Sequence, residues 1–188
     1  METKEEKPLI TGLEKFSTSD IIVVSLFGAV GIIVGIVGNI FHSLSGLSVI
    51  GPFILHTLIP GIVVFACVTT VKKPGSAILY SLIASGIAMP LMGVPIFIPF
   101  YLVQGLLIDG MMIMLKNRFW TWWGTTLAGI VYGVAGIFML YYFVMAAQGI
   151  QFPFWVFCVS LPVNIACAIP ASLIGRRIGT RAAGALIK

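Results

Sequence analysis

Charge is what this sequence has least of. Only 9% of its 188 residues are Asp, Glu, Lys or Arg, against roughly 25% in a soluble domain. That is too few to cover a water-facing surface. Acids are scarcest: Glu2, Glu5, Glu6, Glu14 and Asp20 crowd the start, so Asp109 is the sole carboxylate between Ile21 and Lys188. One carboxylate cannot assemble the divalent-metal cluster of a membrane phosphotransferase. The two histidines, His42 and His56, are 14 positions apart without an acidic neighbour, and no HExxH occurs, which argues against a metal site. No GxxxxGK[ST] loop exists, and Lys73-Pro74-Gly75-Ser76 lacks the glycine-rich approach that cradles phosphates. The chain therefore does not itself couple ATP hydrolysis to work. Cys67, Cys158 and Cys167 stand singly in apolar runs and read as small packing residues rather than a disulfide or redox pair. Ser43-Leu44-Ser45-Gly46 has no general base in obvious reach. Catalysis is disfavoured.

Apolar residues are what the chain does have. They make up 59% of it, with a mean hydropathy of +1.10, which excludes both disorder and an ordinary soluble domain. A helix crossing the ~30 Å hydrocarbon core needs about 20 such residues. Six stretches qualify: 21–41, 48–71, 76–93, 95–115, 119–147 and 152–175. They are apolar on all sides instead of alternating, so helices are expected and a barrel is not. The length of the fifth implies tilt. The expected fold is an all-α integral membrane bundle of six transmembrane helices, spanning 21–175 between a tail at 1–20 and a basic tail at 176–188.

The net charge of +5 raises nucleic acid as a partner, but a basic face is missing. All 11 Lys and Arg fall in four places: Lys4, Lys7 and Lys15; Lys72 and Lys73; Lys116 and Arg118; Arg176, Arg177, Arg181 and Lys188. The three loops of the opposite side hold none. By the positive-inside rule both termini are cytoplasmic, which an even number of spans also requires. The stretch Glu2 to Lys7 lacks a basic n-region and apolar core, so no cleavable signal peptide is visible. Ser17-Thr18-Ser19-Asp20 reads as a helix N-cap, and the residues from Leu9 to Phe16 weakly suggest a short surface helix. Trp120, Trp122 and Trp123 fit a cytoplasmic aromatic belt.

Polar groups within a bilayer are costly and need a reason. Asp109 is open to two readings: the counter-charge of a cationic ligand, or a structural carboxylate paired with a base such as Lys116. Tyr101 and Gln104 lie farther out on the same helix. With Asn39, His42, His56, Tyr141, Tyr142, Trp155 and Asn164 they offer amides, imidazoles and aromatic planes, which suits a pocket for a small heteroaromatic molecule. Gly28, Gly31, Gly35 and Gly38 form a stripe on the first span where a helix, internal or from a partner, can approach closely. Gly129, Gly133 and Gly136 form another on the fifth, read as internal packing. Pro52, Pro60, Pro90, Pro95, Pro99, Pro162 and Pro170 should kink or break helices, as walls of a cavity tolerate.

On these residues the chain resembles the substrate-binding S component of an energy-coupling factor (ECF) vitamin transporter. Such components often carry Ala-x-x-x-Ala on the first helix, where this sequence has Gly31-x-x-x-Gly35. Lys72-Lys73-Pro74-Gly75-Ser76-Ala77 and Val103-Gln104-Gly105-Leu106-x-x-Asp109 resemble the branch associated with thiamine and its hydroxymethylpyrimidine precursor. The resemblance implies a prokaryotic plasma-membrane subunit that binds a vitamin in its outer half through Asn39, His56, Tyr101, Gln104, Asp109, Tyr141, Trp155 and Asn164, under a cap at 42–51. It implies docking through Gly28, Gly31, Gly35 and Gly38 onto a transmembrane coupling (T) component with two ATPase subunits, which use the ATP. No cofactor is expected on this chain. The lack of a Met-His hook at the start speaks against the nickel and cobalt branch. The alternatives are a small membrane enzyme acting on lipid or isoprenoid, with Asp109 as its acid, and a structural subunit of a larger complex.

Overall fold

The computed structural model describes residues 15–45, 50–92, 97–139, 141–142, 149 and 153–186. Six α-helices follow one another: α1 (Thr18–Ser45), α2 (Ile50–Val71), α3 (Ser76–Met92), α4 (Phe97–Leu115), α5 (Trp122–Met139) and α6 (Phe154–Leu186), with a 3₁₀ helix at Lys116–Trp120 joining α4 to α5. No strand occurs among the described residues. The outside of the bundle is apolar: Leu26, Ile33, Leu91 and Ile113 are more than half exposed, and Met114 is 80% exposed. In water such a surface would drive association. In lipid it is the expected solvent-facing shell.

The core is built on α2, which packs most extensively on α6 and next on α1. Val63, Val64, Phe65, Cys67 and Val68 of α2 are buried together with Tyr80, Ala84, Ile108 and Tyr132. Of the three cysteines, Cys67 is a buried packing residue as expected, Cys167 is half-buried and Cys158 is exposed on the outer face of α6.

Several boundaries differ from the sequence reading. The first helix continues to Ser45, and the chain past Leu115 narrows to a 3₁₀ turn, so α5 starts at Trp122. α5 is described from Trp122 to Met139, and most of 140–148, on which the expected length and tilt depend, lies outside the described residues. The expected basic tail is instead the end of α6, which runs unbroken to Leu186. Its buried Gly175 and Gly179 are packed against α2, and that packing extends the helix beyond the apolar run. Helices also continue through Pro60, Pro90, Pro162 and Pro170. Pro52 and Pro99 lie near the first described residues of α2 and α4, and Pro95 lies outside the described residues. The suggested surface helix lies mostly outside the described residues.

The N-cap is present as read. Ser17 Oγ accepts from the Asp20 backbone N–H (3.2 Å), and Asp20 Oδ2 accepts from Ser17 N–H (2.8 Å), a reciprocal capping box. Lys73 Nζ closes on the same Asp20 oxygen at 2.8 Å and on the Lys15 carbonyl at 3.3 Å. This ties the start of α1 to the α2–α3 turn. Ser17→Ala is expected to cost about 1 kcal/mol, and Lys73→Gln less, because a single ion pair that water still reaches, its side chains 23% and 18% exposed, contributes roughly 0–1 kcal/mol. Thermal unfolding in detergent should rank them in that order.

Candidate functional site

The two motifs that resemble the thiamine and hydroxymethylpyrimidine branch meet in space. After α2, Lys72 takes a left-handed conformation (φ 55°), and Ser76 N–H bonds back to Lys73 C=O (3.2 Å). Pro74 then holds the second and Gly75 the third position of a turn. Gly75 has φ 94°, which a type II turn requires and glycine supplies at least cost. The turn delivers the first amides of α3 to Asp109: Ile78 N–H donates to Oδ2 (2.8 Å) and Ala77 N–H to Oδ1 (3.3 Å). One turn earlier on α4, Gly105 lies so close to the Ala77 carbonyl and Ser81 Oγ that a methyl group there would come within 2.8 and 2.5 Å of them. Lys-Lys-Pro-Gly-Ser-Ala and Gln-Gly-x-x-x-Asp are thus two halves of one α3–α4 joint.

Asp109 is correspondingly engaged by α3, which is the structural of its two expected readings, with backbone amides in place of a base. It is 2% exposed, and its carboxylate caps α3 from a neighbouring helix, where it meets both free amides and the positive dipole end. Lys116, the expected counter-charge, is exposed. Trp155 is corrected: at 61% exposed it faces outward from α6. Asn39 and His56, with His42, have side chains outside the described residues.

Of the other expected residues, Asn164, Gln104 and Tyr101 lie in the interior, and Tyr141 packs in a separate cluster with Ile137 and Phe157. Asn164 of α6 is 2% exposed, and its Oδ1 accepts a hydrogen bond from Thr57 Oγ1 of α2. Gln104 is 6% exposed and its Nε2 lies against Gly136 of α5. One turn away, Gly133 packs on the Asn164 backbone and Ala168. The stripe on α5 is internal, as expected. Tyr101 joins a packed cluster with Tyr80 and Tyr132, whose ring meets Phe65 edge-on at 5.9 Å. Tyr141 follows α5 in the chain, with its ring 5.2 Å from those of Tyr142 and Phe157.

Thr57, Tyr80, Tyr132 and Ser160 belong to this interior, and the sequence reading missed them. The rule that a polar group in a span needs a reason could have found all four. Ser160 is the most informative. It is fully buried, one turn from Asn164 on α6, and its hydroxyl has no hydrogen-bond partner among the described residues. A buried orphan hydroxyl costs stability unless something else engages it. The assembled side chains are neutral: two amides, two hydroxyls and several phenols, on walls of apolar helix. They can hold a small, flat, polar molecule by hydrogen bonds and ring contacts.

The glycine stripe of α1 divides. Gly28 packs on Ile83 of α3, and a methyl at Gly31 would overlap the Tyr80 hydroxyl. Both are internal contacts, so the expectation that they dock a partner is corrected. No described residue comes within 4 Å of a methyl placed at Gly35, and the surroundings of Gly38 lie outside the described residues.

The model of a family described as ABC-type cobalt transport system, permease component, matches residues 19–135. No curated protein matches the sequence. A solved structure described as the crystal structure of an S component of an ECF transporter superposes with a TM-score of 0.66 at 19% identity, covering 92% of this chain and 86% of that one.

Proposed function

The chain belongs to the family of ABC-type cobalt transport system permease components, and from that membership we propose that it is the substrate-binding subunit of an ECF importer for a vitamin or vitamin precursor. It has the fold of an S component and is a multi-pass protein of the cell membrane. In this reading both termini are cytoplasmic, and the ligand enters from the opposite end, toward Asn164, Ser160, Gln104 and Tyr101. A T component and two ATPases supply the energy, with the open face of α1 around Gly35 as the docking surface. The observation that carries the reading is the orphan hydroxyl of Ser160 beside the Thr57–Asn164 pair.

The neutral donors and phenol rings favour a heteroaromatic ligand of the thiamine or hydroxymethylpyrimidine type. A nanomolar site requires about −12 kcal/mol, and a small ligand reaches that only by using nearly every atom. The test is a calorimetric titration of the detergent-solubilised chain with thiamine, hydroxymethylpyrimidine, other vitamins and Co²⁺. Saturable nanomolar binding of one vitamin or precursor is expected. Stoichiometric binding of Co²⁺ with silence from every vitamin would overturn the reading. Ser160→Ala separates site from scaffold, because its two effects have opposite signs. Loss of one neutral hydrogen bond, about 1 kcal/mol, weakens the ligand roughly fivefold, while removal of the orphan hydroxyl leaves the ligand-free protein at least as stable.

A further inference from the structure

At the basic end of the bundle α5 begins beside the last turns of α6. The two helices enclose a groove of about 410 Å³ lined by Trp122, Leu173, Arg176, Arg177 and Thr180. Its wall is of two kinds. Leu173 and the half-exposed Trp122 ring are apolar, whereas Arg176 and Arg177 bring two positive charges to one site. Those charges are uncompensated among the described residues. The carboxylates there are Asp20, bound to Ser17 and Lys73, and Asp109, bound to α3. Trp122 is also the first residue of α5, whose positive dipole end adds to the field. Trp122 stacks on Trp123 with ring centroids 3.9 Å apart, and exposed tryptophans of this kind mark the headgroup level of a bilayer.

We propose that this groove is a binding site for an anionic phospholipid, with the phosphate held by Arg176 and Arg177 and the upper acyl chain lying along Leu173 and Trp122. Arginine's planar fork of donors matches phosphate oxygens, and a basic pocket between transmembrane helices at this depth suits an anionic headgroup. A free phosphate would satisfy the arginines and leave the apolar wall unused. A zwitterionic lipid would bring its own cation toward theirs. The site is remote from Ser160 and Asn164, so it stands whether or not the vitamin reading holds.

Native mass spectrometry of the full chain, exchanged into phosphatidylglycerol or phosphatidylcholine, tests this directly. The native chain should retain phosphatidylglycerol selectively, and millimolar inorganic phosphate should not displace it. The double variant Arg176→Gln/Arg177→Gln should lower that retention about tenfold or more, given the attraction each basic residue contributes. Lys72→Gln/Lys116→Gln removes the same charge from the same end and should leave retention unchanged. Equal retention of both lipids by the native chain would overturn the site without recourse to any variant. Equal losses in the two double variants would reduce it to general surface attraction, and displacement by phosphate would assign the arginines to a soluble anion.

Discussion

Asp109→Ala is expected to destabilise the folded chain by about 2–4 kcal/mol while leaving the ligand affinity of the folded fraction unchanged. Two amides at the start of α3, Ala77 N–H and Ile78 N–H, lose their acceptor in a place that water does not reach. Asp109→Asn keeps one acceptor oxygen but loses the charge that faces the helix dipole, which is worth roughly 1 kcal/mol. Thermal unfolding in detergent should therefore rank aspartate above asparagine above alanine. Vitamin titration of each folded variant should give one affinity. A native unfolding temperature combined with collapsed binding would restore Asp109 as a counter-charge to the ligand. The same pair of measurements speaks against the enzyme alternative, because a carboxylate committed to two backbone amides is poorly placed to serve as an acid.

The six helices were legible because burying backbone in hydrocarbon leaves few choices, and runs such as 21–41 declare themselves by length and hydropathy. The start of α1 was legible because Ser17 and Asp20 are three residues apart and their bonds are local. Which face of a helix turns inward was far harder to read. In a soluble bundle an apolar stripe marks the core. Here lipid and core are equally apolar, so Gly28 and Gly31, which face α3, carry no signal that separates them from Gly35, which no described residue approaches. Trp155 misled for the same reason. The partner of Asp109 was hidden differently: Ala77 and Ile78 are more than 30 positions away, and Lys116, one heptad on, was only the nearer guess. The motifs Lys72 to Ala77 and Val103 to Asp109, read as marks of the thiamine and hydroxymethylpyrimidine branch, together build the α3–α4 joint. For that reason they say little of the ligand, whose nature rests on Gln104, Ser160 and Asn164.

Gly175→Leu and Gly179→Leu are expected to disrupt the bundle at its most extensive contact, that of α2 with α6. The two glycines are four residues apart on one face of α6, a small-xxx-small pair that lets backbones touch. A methyl at Gly175 would come 2.5 Å from the Ile62 carbonyl and 2.8 Å from Phe65 Cβ. At Gly179 it would overlap Thr69 Oγ1 and the Ala66 carbonyl, beside the 3.3 Å bond from Thr70 Oγ1 to the Gly179 carbonyl. At both glycines the obstacles include backbone atoms, the Ile62 carbonyl and the Ala66 carbonyl, which cannot swing aside as the end of a side chain can. Helices in lipid associate through close packing, since lipid tails satisfy apolar surface as well as a neighbouring helix does. Forcing them apart therefore removes the main attraction as well as adding strain. Each overpacking substitution should cost about 1–3 kcal/mol or more, and the double variant should fail to elute as a monodisperse species in size-exclusion chromatography. Gly86→Leu is the control, because no described residue lies within 4 Å of a methyl placed at Gly86. There leucine replaces a poor helix former and should raise stability by up to about 1 kcal/mol. Opposite signs from one substitution at two helical glycines would locate the α2–α6 seam in solution. Equal tolerance at Gly179 and Gly86 would mean that the two helices do not pack there, and with them the placement of Thr57 against Asn164 would fall.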